Sequence, residues 1–140
     1  MKKSLLVMLS ICLCTLAYSQ EKIKTEVPAA VEKAFMKAFP NTKAKWEKED
    51  GKYEAGFKYK GEEMSVLYNA KGVWEEKETE IKVSKLPVGA SSYVEKKQLG
   101  KIKEASKIIK ADGSVMYEAE VKSGDILFDT KGNFVKLVKD

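Results

Sequence analysis

The densest run of chemically capable side chains is WEEKETE, Trp74 to Glu80, which places Glu75, Glu76, Glu78 and Glu80 close together. Paired carboxylates can hydrolyse glycosides, one as acid and the other as base or nucleophile. On an extended strand Glu76, Glu78 and Glu80 share one face. A wet, charged stretch gives no reason for a raised carboxyl pKa, so the run reads first as a strand protected from edge pairing. Nucleophilic catalysis needs a positioned base. Ser65, Ser91, Ser92 and Ser123 have no imidazole to serve them, because the chain contains no histidine. Ser92 and Lys96 share a helix face, as a Ser–Lys dyad requires, yet a capped and solvated helix accounts for both. Asp129-Thr130-Lys131-Gly132-Asn133 departs from a calcium loop, with lysine third and glycine too early. The expectation is no enzyme, no metal and no cofactor.

Arginine is also absent, so all 26 basic residues are lysines, against 21 acids. Lysine neutralises a phosphate as a point charge but lacks the bidentate fork that reads guanine, phosphate or carboxylate. No basic cluster stands out either, which argues against a nucleic-acid partner or a membrane-surface patch.

The chain opens with Lys2 and Lys3, an apolar run from Leu5 to Ala17, and small residues at Ala17 and Ser19. That is the layout of a cleaved secretory signal, too short for a comfortable membrane span. Bulky Ile11 and Leu13 precede Cys12 and Cys14, which favours cleavage near Ser19/Gln20 over a lipid anchor. Residues 1–19 are thus read as a signal peptide. The mature chain is expected in the periplasm or outside the cell, with no stable membrane insertion. It then holds no cysteine, so burial rather than a disulfide must stabilise it. With neither cysteine nor histidine, zinc loses its preferred ligands.

The elements that must position any site come in two similar passages. KYEAGFKYKGEEMSVLYNAKGVWEE, Lys52 to Glu76, is echoed by MYEAEVKSGDILFDTKGNFVK, Met116 to Lys136. In the first, Val27, Val31, Ala34, Phe35 and Ala38 follow helical spacing between Pro28 and Phe39. Tyr53, Ala55, Phe57 and Tyr59 then alternate with polar residues at strand period. Asp50-Gly51 signals a two-residue hairpin pairing Trp46 with Ala55. Lys60-Gly61 sets Met64, Val66 and Tyr68 opposite Phe57, Ala55 and Tyr53. Asn69 to Gly72 reads as a type I turn closed by a left-handed glycine, pairing Tyr68 with Trp74.

The second passage repeats the plan after Leu86-Pro87. Its helix is expected to be weaker because Gly89 sits early, and the capping box Ser92-x-x-Glu95 offers a later start. Asp112-Gly113 is read as a two-residue loop pairing Ile108 with Tyr117. Ser123-Gly124 pairs Val121 with Ile126, and Asp129 to Gly132 sets Phe128 beside Phe134. One helix–four-strand unit alone buries too little surface to be stable, whereas two can share a core. The expected fold is α+β: a tandem duplication of a helix–four-strand antiparallel meander, residues 20–82 and 83–140, with helices packed on one face of the sheet. The aromatic stripe from Trp46 to Trp74 is expected beneath the helices as core, the largest hydrophobic gain available.

The helix, the YEA strands and the matched turns LYNAKGVW and LFDTKGNF resemble the PepSY-like family of small exported, β-lactamase-inhibitor-like bacterial proteins. The resemblance spans Val27 to Lys139. It implies an exported domain that acts by contact rather than catalysis, similar in fold to an inhibitor that holds β-lactamase against its sheet. It carries over no catalytic residues.

The same pairings that put Tyr117, Ala119 and Phe128 inside put Ile109, Met116, Leu127, Val135 and Leu137 outside. The first passage carries Glu47, Glu54, Gly56, Ser65 and Glu75 on that side, with Leu67 and Val73 as apolar exceptions. An exposed apolar patch marks a contact surface. The reading is therefore a non-enzymatic periplasmic module that binds a protein or peptide partner through an open sheet face, with inhibition of that partner as one outcome. Its competitor is a small-ligand carrier or sensor with a pocket between helices and sheet.

Overall fold

A computed structural model describes residues 25–139. The expected signal peptide and both cysteines lie outside the described residues. The order is helix α1 (Ala29–Ala38), strands β1 (Lys45–Glu49), β2 (Lys52–Tyr59), β3 (Glu62–Asn69) and β4 (Trp74–Ile81), a 3-10 turn at Val83–Lys85, and helix α2 (Val88–Lys96). Strands β5 (Glu104–Lys110), β6 (Val115–Val121), β7 (Gly124–Phe128) and β8 (Phe134–Val138) follow. All eight strands form one antiparallel sheet in sequence order. The seam is β4–β5, where Glu76 lies opposite Lys110 and Ile81 opposite Ala105.

Two separate cores flank that seam. Val31 and Phe35 of α1 pack with Tyr53, Ala55, Phe57, Val66 and Tyr68. Leu86, Ala90 and Val94 pack with Ala105, Ala119, Val121, Ile126 and Phe128. Of the aromatic stripe, Tyr53, Phe57 and Tyr68 are buried, Trp46 and Tyr59 half-buried, and Trp74 is exposed.

Turn chemistry sets the register. Asp50-Gly51 and Lys60-Gly61 are two-residue loops with φ positive at both positions, the twist that hairpins favour. They give the expected Trp46–Ala55 and Ala55–Val66 partners. Asn69–Gly72 and Asp129–Gly132 are type I turns, each closed by the glycine N–H bonding back to the first carbonyl at 3.0 Å. Tyr68 meets Trp74 and Phe128 meets Phe134, as expected.

Three expectations fail here. Asp112-Gly113 is not a two-residue loop. Lys110 to Gly113 forms the same glycine-closed type I turn, with Gly113 N–H bonding Lys110 O at 2.9 Å. Ile108 therefore pairs with Met116, and Ile109 with Val115, one residue away from the expected register. A one-residue slip moves a side chain to the other face. The second failure is a bulge. Leu127 pairs with Lys136 and Phe128 with Phe134, leaving Val135 as the extra residue. The bulge turns Leu137 toward Ile126 and the second core. The Ser123-Gly124 loop is also offset: Val121 faces Gly124 and Ala119 faces Ile126, which shifts partners but preserves faces.

The second helix starts at Val88, directly after Pro87, rather than at the Ser92 box. Gly89 is not merely a weak helix former. A Cβ there would lie 2.9 Å from the carbonyl oxygen of Gly132, so glycine lets the β7–β8 turn sit against the helix N-terminus. Gly72 meets α1 in the same way, its virtual Cβ falling 2.4 Å from the Ala30 oxygen.

Candidate binding face

Side chains of β4 alternate between the faces of the sheet. Lys77, Thr79 and Ile81 share the side of the cores, because Ile81 packs there and the three lie opposite Ile109, Lys107 and Ala105. Glu76, Glu78 and Glu80 point the other way. The registers extend that opposite face across the sheet through Glu47, Glu54, Ser65, Leu67, Glu104, Ser106, Glu118, Glu120 and Asp125. A depression of about 380 Å³ lies over it, lined by ten carboxylate side chains and a single lysine, Lys45.

The face is electrostatically crowded. Burial, followed by Glu54, Glu76 and Asp125, pushes the Glu78 carboxyl up to about 7, against a hydrogen bond with the Ser106 side chain that pulls it down. Glu118 is pushed up to about 8, by burial first and then by Glu78, Asp125, Glu76 and Glu120. Burial, with Glu120 and Glu80, raises Glu104 as well. The expectation that nothing here lifts a glutamate pKa is thus overturned. Whole-sheet packing gathers acids that a single strand keeps apart. Rim lysines relieve part of the crowding: Lys103 Nζ lies 3.1 Å from Glu120, Lys45 Nζ 3.0 Å from Glu47, and Lys110 Nζ 3.8 Å from Glu76.

Chemically, the arrangement can bind cations and hold protons near neutral pH. Perturbed carboxyls also mark acid–base sites. The groups lining the depression beside Glu78 and Glu118 are mainly further carboxylates, with Ser65, Ser106, Leu67 and Met64. Among the described residues, no group of His, Cys, Asp or Glu is arranged to hold a metal ion.

The five residues expected to make a contact patch are not brought together. Met116 and Leu127 do lie on the face opposite the cores. Leu127 is 5 % exposed, so it offers little surface. Val135 is exposed, at the bulge of the outermost strand. Ile109 and Leu137 are on the side of the cores, displaced by the glycine-closed turn and the bulge. Ile108 takes the place expected of Ile109 and is buried.

The acidic residues of the second half were missed by the sequence reading. The signal was present: Glu118 and Glu120 alternate with Tyr117, Ala119 and Val121, at the same period that identified the core.

Solved structures share this architecture. A periplasmic protein of Bacteroides eggerthii, described as putative, is 18 % identical and superposes with a TM-score of 0.72, covering 81 % of this chain and 89 % of its own. A DUF2874 family protein of Bacteroides uniformis is 18 % identical, with a TM-score of 0.71, covering 81 % and 90 %. A BLIP-like protein of Bacteroides fragilis is 22 % identical, with a TM-score of 0.64, covering 81 % and 86 %. No curated protein matches the sequence. The family described as "Putative beta-lactamase-inhibitor-like, PepSY-like" matches over residues 20–73 and 51–136. With both matches spanning most of the sequence, the chain belongs to the PepSY-like, β-lactamase-inhibitor-like family.

Proposed function

We propose that this protein is a non-enzymatic, exported binding module that docks a protein or peptide partner on the face opposite its two cores. One observation carries the reading. That face holds a depression of about 380 Å³, and neither helix contributes to its lining. A β-lactamase-inhibitor-like, PepSY-like fold suggests the same class of task. Leu67 and Met116 supply apolar surface, and the lysines that pair with Glu47 and Glu120 form a polar rim. Inhibition is one consequence of such docking, if the partner is a hydrolase whose active site the face covers.

The architecture is read here as a duplicated helix–four-strand unit, residues 20–82 and 83–140, with both helices on one side and residues 1–19 removed on export. The two cores, the paired glycine-closed turns and the matched bulges at Glu75 and Val135 support that reading.

A photoreactive residue at Ser65, on the open face, should crosslink a periplasmic partner. The same residue at Met36, exposed on α1, should not. Crosslinks from Met36 alone would place recognition on the helices and overturn the reading.

A further inference from the structure

Building on that docking face, we propose that its occupant is a lysine- or arginine-bearing segment of the partner protein. Like charges directly opposite each other across a strand pair destabilise a sheet. Three such pairs sit on this face: Glu47 opposite Glu54, Glu104 opposite Glu120, and Glu120 opposite Asp125. Composition does not force them, because the chain as a whole carries more lysines than acids. Ten of its 21 carboxylates nevertheless line one depression, with one lysine among them. A surplus of negative charge collected at a standing cost complements a cation.

The spacing favours a peptide over a metal ion. The acids are spread over β1 to β7, with neighbouring strands about 4.8 Å apart. Several fixed charges along a chain match that spread, whereas a metal needs its ligands converged on one point. Leu67 and Met116 lie among the acids on the same face, and the aliphatic stems of lysine or arginine can pack there while their heads reach carboxylates. The Lys103–Glu120 and Lys45–Glu47 pairs are exposed, so an incoming cation replaces them at little cost.

Decalysine and decaglutamate are the probes, titrated calorimetrically against the full mature chain at low ionic strength. Decalysine should bind and decaglutamate should not. At about pH 9, where both carboxyls are ionised and lysine keeps its charge, the double variant Glu78→Gln, Glu118→Gln should bind decalysine about tenfold more weakly, since each lost carboxylate removes a charge-assisted partner. Its melting temperature should rise, because the substitutions also relieve crowding. A merely structural role would lower both. Glu32→Gln with Glu95→Gln, one on each helix, should leave binding unchanged. Equal loss in both double variants, or no loss in either, overturns the proposal. If a partner crosslinked at Ser65 is held equally well by the Glu78/Glu118 variant, the docking face stands and the cationic occupant falls. If Gln-sensitive decalysine binding persists while Ser65 captures nothing, the cationic preference stands and the docking of a protein partner falls.

Discussion

The two halves of the sheet follow one wiring diagram and fill it differently. The first core is a ring network: Phe35 lies 5.0 Å from Phe57 and 5.4 Å from Trp46, and Phe39 lies 4.5 Å from Phe57. The second core is mostly small and aliphatic, with Phe128 its largest fully buried side chain and Tyr93 edge-on to it at 5.8 Å. Position by position after the helix-starting prolines, Val31 and Phe35 in α1 become Ala90 and Val94 in α2, and Ala30 becomes Gly89. Two glycines, Gly89 and Gly132, meet where α2 touches its turn, whereas Gly72 alone makes that room on α1. Both helices are thus seated by a close glycine approach, and the first core adds a wider set of shared aromatic contacts.

That contrast predicts the largest mutational effect. Phe128→Ala should cost about 3–5 kcal/mol, because it removes the largest fully buried side chain and leaves a cavity at the centre of the second core. Phe39→Ala, at the half-buried edge of the first network, should cost clearly less. Chemical denaturation of both variants measures the difference. Equal losses would show that the first core is no more redundant than the second.

Next come the glycines that seat each turn on its helix. Gly132→Ala should cost about 1–2 kcal/mol for a left-handed backbone and on the order of 1–3 kcal/mol more for overpacking against Ala90 N, 2.7 Å from the new Cβ. Gly89→Ala is the sharper test. Within a free helix it stabilises by about 0.5–1 kcal/mol. Here the new methyl meets the Gly132 carbonyl at 2.9 Å, backbone against backbone. The melting temperature should therefore fall, although the first half carries alanine at the equivalent Ala30. A rise would mean that the halves do not differ in how closely the turn approaches.

The seam between the halves sets a pH dependence. Glu78 belongs to the first half and Glu118 to the second; Glu78 raises Glu118, and Asp125 of the second half raises Glu78. Both folded pKa values stand above the ordinary 4.5, at about 7 and about 8. The stabilisation that protonation provides is therefore fully present below about pH 4.5 and is lost as pH rises through 7 and 8. A pKa difference of one corresponds to about 1.4 kcal/mol, so the two carboxyls together should lower stability by several kcal/mol across that window. Glu118→Gln should flatten the curve, which urea midpoints measured from pH 5 to 9 would show. A profile as steep as that of the unmodified chain would mean that ionisation at Glu118 does not weaken the seam.

Much of the scaffold was legible because local turn chemistry and apolar alternation agree. Asp50-Gly51, Lys60-Gly61 and the Asn69 turn gave the first half its register, and the α1 stripe gave its helix. The second half misled at two points with physical causes. Asp112-Gly113 looks like a two-residue loop, but Ala111 belongs to the turn, so β5 moves by one and exchanges Ile109 for Ile108. The bulge at Val135 leaves no mark in composition, and it reverses Leu137. The acidic face was half legible. Its period was visible in Glu118 and Glu120, but its strength arises only where β4, β5, β6 and β7 lie side by side. No single strand records that neighbourhood.

The smallest expected effect separates two of the three glycine-closed turns, those at Asn69 and Asp129. Asn69 Oδ1 accepts the N–H groups of Lys71 and Val73 at 2.9 and 3.2 Å. Asp129 Oδ1 does the same for Lys131 and Asn133 at 2.8 and 2.9 Å, and its Oδ2 accepts from Asn133 Nδ2 at 2.9 Å. The amide cannot titrate in this range, whereas the carboxylate can. Hydrogen bonds from Asn133 and Lys131 hold the Asp129 pKa below its ordinary value. A depressed pKa contributes stability that is present above the unfolded value and lost as pH falls through the folded one. Acidification below about pH 4 should therefore loosen the β7–β8 turn and leave the β3–β4 turn intact. Amide exchange at Lys131 and Asn133, compared with Lys71 and Val73, reads this directly. Asp129→Asn should make the two turns respond alike, and an Asp129 turn that stays protected in acid would show that Gly132 and its helix contact alone hold it closed.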